Sequence, residues 1–127
     1  MRRKTMKRDM ELIRELLFLI EAQDSIHSQL KIPEEMDRNY VVYQLNLMEQ
    51  AGLTENNIRY ASDQPFYIHS QLTWPGHDFL DSIRNESIWQ KSKDSLKSKG
   101  LELGQVSFGI LTDLVKMKVK ESLGMIE

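Results

Sequence analysis

The sequence predicts an α+β fold that is mainly α-helical, and two kinds of pattern support this prediction. Five segments place apolar residues at helical spacing and begin or end on typical capping residues. A segment between residues 58 and 73 is rich in β-branched and aromatic residues, which indicates a β-hairpin. A chain of 127 residues can bury one hydrophobic core, so we expect a single domain over residues 1–127.

The composition argues against several classes of protein. Hydrophobic residues make up 40% of the chain and charged residues 28%, which is ordinary for a globular protein. The formal net charge of -2 argues against a strongly basic nucleic-acid-binding protein. The absence of cysteine removes disulfides, thiolate metal sites and thiol nucleophiles, and it fits a cytoplasmic protein. Glu11, Glu15 and Glu21 interrupt the apolar residues near the start, so we expect neither a secretory signal nor a membrane span.

The first part of the chain is predicted to form two helices joined by a connector. The first helix is predicted over Asp9–Ala22, with a capping aspartate and apolar residues at helical spacing. The segment SIHSQLKIP alternates in polarity and stops at Pro33, which is typical of a short strand or an extended connector. Asp37 then caps a second helix that ends at Ala51-Gly52, because glycine commonly ends helices.

The middle of the chain is predicted to form a turn, a hairpin and the start of a third helix. Leu53–Asn57 is interpreted as the turn, and the runs IRYAS and FYIHSQLT as strands. The loop between the strands is predicted at Asp63–Pro65 and is longer than two residues. Thr73 can cap the third helix, and Pro75 suits its first turn because the amide that proline lacks would have no helical partner there. Gly76 is expected to let the helix start approach the sheet closely.

The rest of the chain is predicted to be helical. The third helix is predicted to reach Asn85, and a fourth to end at Gly100. A fifth, over Ser107–Leu123, carries a broad apolar stripe. This stripe either packs against the first helix or pairs with its counterpart in a second chain, so the protein is expected to be a monomer or a homodimer through its C-terminal helix. The residues of the stripe are Ile110, Leu111, Leu114, Val115 and Val119.

The order helix, short strand, helix, hairpin, helix is that of a winged helix. In such a fold the hairpin is the two-stranded wing, and the helix before it enters the DNA major groove. Residues 6–85 are then the winged-helix core, and residues 86–127 are a C-terminal helical extension of the same domain. One feature departs from a standard helix-turn-helix, because Pro33–Met36 leaves room for at most one turn where the positioning helix usually lies.

Four stretches carry a resemblance to a known family. They are MKRDMELIRELL from Met6, YQLNLMEQAGL from Tyr43, LTWPGHDFLDSIRNESIWQKSK from Leu72 and SFGILTDLVKMKVKESLG from Ser107. With these stretches the chain resembles the domain-of-unknown-function 2513 family, an uncharacterised family often found in prophages. The resemblance implies a winged-helix-like fold in a phage or mobile-element setting, with Trp-Pro-Gly at 74–76 as the corner that leads out of the wing. It implies no particular activity.

No pattern in the sequence points to catalysis. His77 and Asp81 are four residues apart and could supply two metal ligands from one helix face, but a functional site needs at least one more. The carboxylate pairs Glu34-Glu35 and Asp78 with Asp81 lie in no apolar setting that would raise a pKa. No nucleophile elbow, phosphate loop or dinucleotide fingerprint is present. We therefore expect a protein without enzyme activity, metal or cofactor.

The element order favours a DNA-binding transcriptional regulator. Arg, Asn and Gln pair with base edges, and a basic arm can follow phosphates or a minor groove. The segment from residue 38 to residue 77 nevertheless has only two basic residues against three acidic ones, which is unusual for a groove reader. The predicted partner is double-stranded DNA, and the predicted contacts are Arg2, Arg3, Lys4, Lys7, Arg8, Arg38, Asn39, Gln44, Asn46 and Arg59.

The charge balance favours a different function for the same fold. The protein would then be a non-enzymatic adaptor that binds a host or phage protein through exposed aromatic side chains. The predicted contacts for this function are Tyr60, Tyr67 and Trp74. Both hypotheses place the protein in the cytoplasm.

Overall fold

The computed structural model of the protein describes residues 5–125. Within this range the fold is α+β and mainly α, as predicted, and the element order fits a winged-helix-like arrangement. The described residues form two compact units that divide between His77 and Asp78. The elements are α1 (Met10–Glu21), α2 (Arg38–Gln50), β1 (Thr54–Ala61), β2 (Gln64–Leu72), α3 (Trp74–Ile83), α4 (Glu86–Ser98), a 3-10 turn (Leu103–Gln105) and α5 (Phe108–Ser122).

Capping side chains set the starts of the first two helices, as predicted. The Leu12 amide donates to Asp9 Oδ1 at 3.1 Å, and the Asn39 amide donates to Asp37 Oδ1 at 3.0 Å. After α2, Gly52 has φ of +80°, a conformation that glycine adopts without strain. The two helices bury one apolar face each: Met10, Ile13, Leu16, Leu17 and Ile20 from α1, and Tyr40, Val41, Val42, Leu45 and Met48 from α2.

The segment between α1 and α2 is an extended connector that lies beside β2. The Leu30 amide donates to the Ile68 carbonyl at 2.8 Å, and Gln29 Nε2 donates to the Phe66 carbonyl at 3.2 Å. The connector therefore covers the outer edge of β2. Before α2 a single turn forms, in which the Met36 amide donates to the Pro33 carbonyl at 3.0 Å. No positioning helix lies between residues 22 and 37.

The predicted turn at Leu53–Asn57 is wrong, because β1 already begins at Thr54. Asparagine is a poor strand former, but the pairing with β2 overrides this local preference. The side chain of Asn56 also gains tertiary bonds in the strand. Its Nδ2 donates to the Leu45 carbonyl at 2.7 Å, and its Oδ1 accepts from Ser70 Oγ at 2.7 Å.

The predicted long loop of the hairpin is also wrong. The strands are joined by the two-residue turn Ser62-Asp63, whose φ angles of 52° and 64° are those of a type I′ turn. Pro65 lies within β2, opposite Tyr60 and next to a shift of the strand register. A proline is tolerated there because the ladder is already interrupted at the bulge.

The Trp-Pro-Gly corner has the structural role that the sequence predicts. The Gly76 amide donates to Thr73 Oγ1 at 3.1 Å, so Thr73 caps α3. A Cβ atom on Gly76 would lie 2.0 Å from the Leu53 carbonyl oxygen. The start of α3 and the start of the hairpin therefore approach each other more closely than any residue with a side chain would allow.

The second unit contains α4, α5 and the end of α3. The Ile88 amide donates to Asn85 Oδ1 at 3.1 Å, which caps α4. The rings of Phe79 and Phe108 pack at a centroid distance of 4.8 Å. The predicted stripe of α5 is narrower than expected: Leu111 and Val115 are buried, whereas Ile110 is 56% exposed. No described helix is long and apolar enough to cross a membrane.

Candidate nucleic-acid interface

One face of α2 presents uncharged polar side chains to solvent. Asn39, Asn46 and Gln50 are exposed and Tyr43 is half-buried, and their spacing of four, three and four residues aligns them along the helix. We call these four residues the α2 polar face. Their side chains make no hydrogen bond to any other described residue. Amide groups both donate and accept hydrogen bonds, so this face can bind groups that offer either.

The α2 polar face contains two of the predicted DNA contacts, Asn39 and Asn46, and two residues that the sequence reasoning missed. Tyr43 and Gln50 could have been found by extending the same helical spacing from Asn39 and Asn46. Arg38 lies at the start of the helix and is exposed. One of its guanidinium nitrogens donates to the Pro65 carbonyl at 3.3 Å, which links the start of α2 to the hairpin.

The prediction that Gln44 contacts DNA is wrong, because its side chain is fully buried. Its Oε1 accepts from the Asp9 amide at 2.8 Å, and its Nε2 donates to the Lys7 carbonyl at 2.9 Å. Gln44 therefore joins α2 to the chain just before α1. The sequence pattern alone does not reveal this, since both bonds go to backbone groups more than thirty residues away.

The hairpin presents one cation and several aromatic rings. The Arg59 guanidinium lies over the Tyr67 ring, 5.3 Å from its centroid, on the strand opposite. Tyr60 is 52% exposed and Phe66, which the sequence reasoning missed, is 56% exposed beside the register shift. Trp74, at the start of α3, is 81% exposed. The bulge turns the Phe66 ring outward. Such a bulge depends on the pairing with β1, so the alternation of polar and apolar residues along β2 does not predict it.

The predicted basic arm is only partly described. Arg2, Arg3 and Lys4 lie outside the described residues. Lys7 is exposed and Arg8 is half-buried. Over residues 5–77 the first unit contains six Lys or Arg residues against eleven Asp or Glu residues. Phosphate contacts supply most of the affinity of groove readers, so this balance argues against strong electrostatic binding to nucleic acid.

Buried and half-buried polar side chains hold the hairpin against the helices of the first unit. Ser70 Oγ donates to Asn56 Oδ1 at 2.7 Å, and Asn56 Nδ2 donates to the Leu45 carbonyl at 2.7 Å. Gln23 Nε2 donates to the Ser70 carbonyl at 2.9 Å. These bonds connect the end of α1, α2 and both strands. The hairpin is therefore held against α2 by side-chain hydrogen bonds.

A second polar contact links the starts of α1 and α2. The Tyr40 hydroxyl donates to Asp9 Oδ2 at 3.1 Å. Burial of the phenol, and then the neighbouring Asp9 carboxylate, raise the pKa of Tyr40 above its ordinary value of 10.0. The folded state thus holds the Tyr40 proton more tightly than the unfolded state does.

We expect Tyr40→Phe to lower the free energy of unfolding by about 1.5 kcal/mol at neutral pH, because the bond to a charged acceptor is lost. Since the folded pKa of Tyr40 is the higher one, its contribution is fully present below pH 10.0 and declines as the pH rises through the folded pKa. The difference between the two proteins should therefore shrink above pH 10.0. Urea denaturation at a series of pH values measures it, and a difference that grows with pH would contradict this account.

The described acidic and histidine side chains form no evident metal site. Within residues 5–125 no group of three or more His, Asp or Glu residues is placed to hold an ion. Asp81, a candidate ligand from the sequence, instead pairs with Arg84 at 2.9 Å on an exposed turn of α3.

Comparison with known proteins gives a family and no function. The family model described as "Hypothetical protein (DUF2513)" matches residues 7–102. A protein of Haemophilus influenzae (strain ATCC 51907 / DSM 11121 / KW20 / Rd), described as "Uncharacterized protein", is 39% identical over 102 residues, which cover 77% of this chain and 85% of that protein. No solved structure matches the chain significantly. The prophage setting stays a prediction. The chain belongs to the domain-of-unknown-function 2513 family, the family that its sequence resembles.

Proposed function

We propose that the protein is a DNA-binding transcriptional regulator that inserts α2 into the major groove. The observation that supports this most directly is the α2 polar face, with its three unbonded amides and one phenol at helical spacing. The major groove admits an α-helix, and three or four side chains usually reach the base edges. The hairpin follows α2 directly and is the wing of this arrangement.

The chemistry of the α2 polar face favours adenine. Asn and Gln pair bidentately with adenine N6 and N7, whereas Arg and Lys pair with guanine. Asn39, Asn46 and Gln50 supply the amides. The α2 polar face contains no Arg or Lys residue. In this proposal Arg59 in the wing and Lys7 before α1 contact phosphates. The preferred site is therefore richer in A·T than in G·C pairs.

The cations within residues 5–77 set a lower limit on the expected salt dependence. If Lys7, Arg38 and Arg59 each contact one phosphate, the slope of log affinity against log salt is about -2.7. A fourfold increase in salt then weakens binding about 40-fold. Fluorescence anisotropy of a labelled random duplex at low and moderate salt measures this slope. Absence of binding at low salt would contradict the proposal.

We expect Arg59→Ala to weaken DNA binding and to reduce the salt slope by about 0.9, because one phosphate contact is lost. Lys116→Ala is the matched control. It removes one exposed cation from α5, outside the first unit, and should leave affinity and slope unchanged. Equal effects of the two substitutions would show that net charge, and not the wing, determines binding.

A protein-interaction adaptor is the second proposal, and the exposed aromatic side chains support it. Tyr60, Phe66 and Trp74 are each more than half exposed, and the first unit is acidic. Aromatic residues are enriched at protein interfaces. An adaptor should not bind duplex at any salt concentration, so the same titration separates the two functions. Both proposals have the protein act in the cytoplasm and without catalysis.

A further inference from the structure

The outer edge of β1 exposes unpaired backbone groups. Ile58 lies opposite Ile68, whose carbonyl points away from β1 and accepts from the Leu30 amide. The pair is therefore a non-hydrogen-bonded one, and the amide and carbonyl of Ile58 point away from β2. Asn56 is two residues before Ile58, so its backbone groups also point away from β2. Its amide donates to Glu49 Oε1 at 2.9 Å.

This edge is open to another strand beyond Asn56. Asn57, Arg59 and Tyr60 are exposed and Ile58 is half-buried. No other described residue pairs with the backbone groups that Ile58 and Tyr60 direct outward. The outer edge of β2, by contrast, is covered by the connector. An uncovered edge strand is a template for pairing with a further strand, and a two-stranded sheet gains stability from one.

We propose that β1 pairs with β1 of a second copy, antiparallel about a two-fold axis at Ile58, to form a four-stranded sheet. In this register Ile58 faces Ile58 of the partner subunit, and their outward amides and carbonyls bond reciprocally. Asn57 faces the partner's Arg59. Asn56 faces the partner's Tyr60, and on pairing its amide exchanges Glu49 Oε1 for the carbonyl of the partner's Tyr60. The pairing is therefore made entirely from residues of β1.

Charge complementarity selects a second copy as the occupant. In this register Glu55 lies diagonally across from the partner's Arg59, and the symmetry repeats the contact, so two pairs of opposite charge form. Both side chains are already oriented on one face of the sheet. Gln71 Nε2 donates to Glu55 Oε2 at 3.2 Å, and Arg59 lies over the Tyr67 ring. Within residues 55–61 no like charges lie directly opposite each other. The two Arg59 side chains are diagonal neighbours across the two-fold axis, which sets one repulsive contact against the two attractive ones.

This inference does not depend on DNA binding. It differs from the dimer that the sequence suggested, which used the C-terminal helix. A β1-paired dimer has two-fold symmetry and presents α2 twice. A two-fold symmetric DNA site, where one exists, would match that symmetry.

A charge swap tests the proposal. Analytical ultracentrifugation over the micromolar range should show a monomer–dimer equilibrium for the natural protein. Arg59→Glu and Glu55→Arg should each weaken dimerisation roughly tenfold, because two attractive pairs become repulsive. The double variant, which restores opposite charges in the same register, should recover the original dissociation constant.

Ile58→Pro is a second test, since proline removes the outward amide while the amides that bond to β2 remain. It should be monomeric with an unchanged far-ultraviolet circular dichroism spectrum. If the variant does not fold, the charge swap still decides the question. A natural protein that is monomeric at all concentrations would overturn the proposal. A dimer that the charge swaps do not affect would also overturn it.

Discussion

Gly76→Ala is expected to lower the free energy of unfolding by at least about 3 kcal/mol, because the new methyl group cannot be accommodated. Its Cβ would lie 2.0 Å from the Leu53 carbonyl oxygen, which is a backbone atom. That carbonyl also accepts from the Thr73 amide at 3.0 Å, so moving it away would break the bond that closes the hairpin. Urea denaturation followed by circular dichroism measures the loss.

Gly109→Ala is the matched control for Gly76→Ala. A Cβ on Gly109 would have Ser107 Oγ as its nearest neighbour, at 3.9 Å, and the residue lies in the first turn of α5. Alanine favours the helix over glycine, so this substitution should leave stability unchanged or raise it by up to about 1 kcal/mol. A neutral Gly76→Ala would contradict the close approach at the corner. An equal loss in both variants would point to a general effect of removing glycine.

Local signals were sufficient to predict the helices and the corner. Asp9 and Asp37 precede helices that begin where their side chains accept an amide, and Gly52 follows the end of α2. These features depend on residues within one turn of each other, so a single sequence contains the information. The Gly76 corner was predictable for the same reason, because Thr73, Pro75 and Gly76 lie within four residues at the start of α3.

Features that depend on distant partners could not be predicted. Thr54–Asn57 has a poor strand composition, yet it pairs with residues of β2 that lie between twelve and eighteen positions away. Gln44 looks like a base-reading side chain on a polar helix, but its partners are the backbone of residues 7 and 9. The α2 polar face was only half found. Helical spacing from Asn39 and Asn46 leads to Tyr43 and Gln50, but the burial of Gln44 beside them follows only from where β1 and α1 pack.

Gln44→Leu should lower the free energy of unfolding by about 2 kcal/mol and leave DNA affinity unchanged. Leucine nearly fills the space but cannot bond, so the Asp9 amide and the Lys7 carbonyl lose their partner in a partly buried region. Urea denaturation measures the stability, and anisotropy with a labelled duplex, under conditions where the variant is folded, measures the affinity.

Asn46→Ala, two residues further along α2, should leave the stability nearly unchanged and weaken DNA binding. Its side chain is exposed and makes no bond to a described residue, so stability should change by less than about 0.5 kcal/mol. DNA affinity should fall roughly tenfold, and more on A·T-rich than on G·C-rich duplex, because one bidentate base contact is lost. If Gln44→Leu weakens DNA binding and Asn46→Ala does not, the contact face of α2 is not the one proposed. If DNA binds but neither substitution changes its affinity, the wing and the basic arm bind duplex without a reading helix.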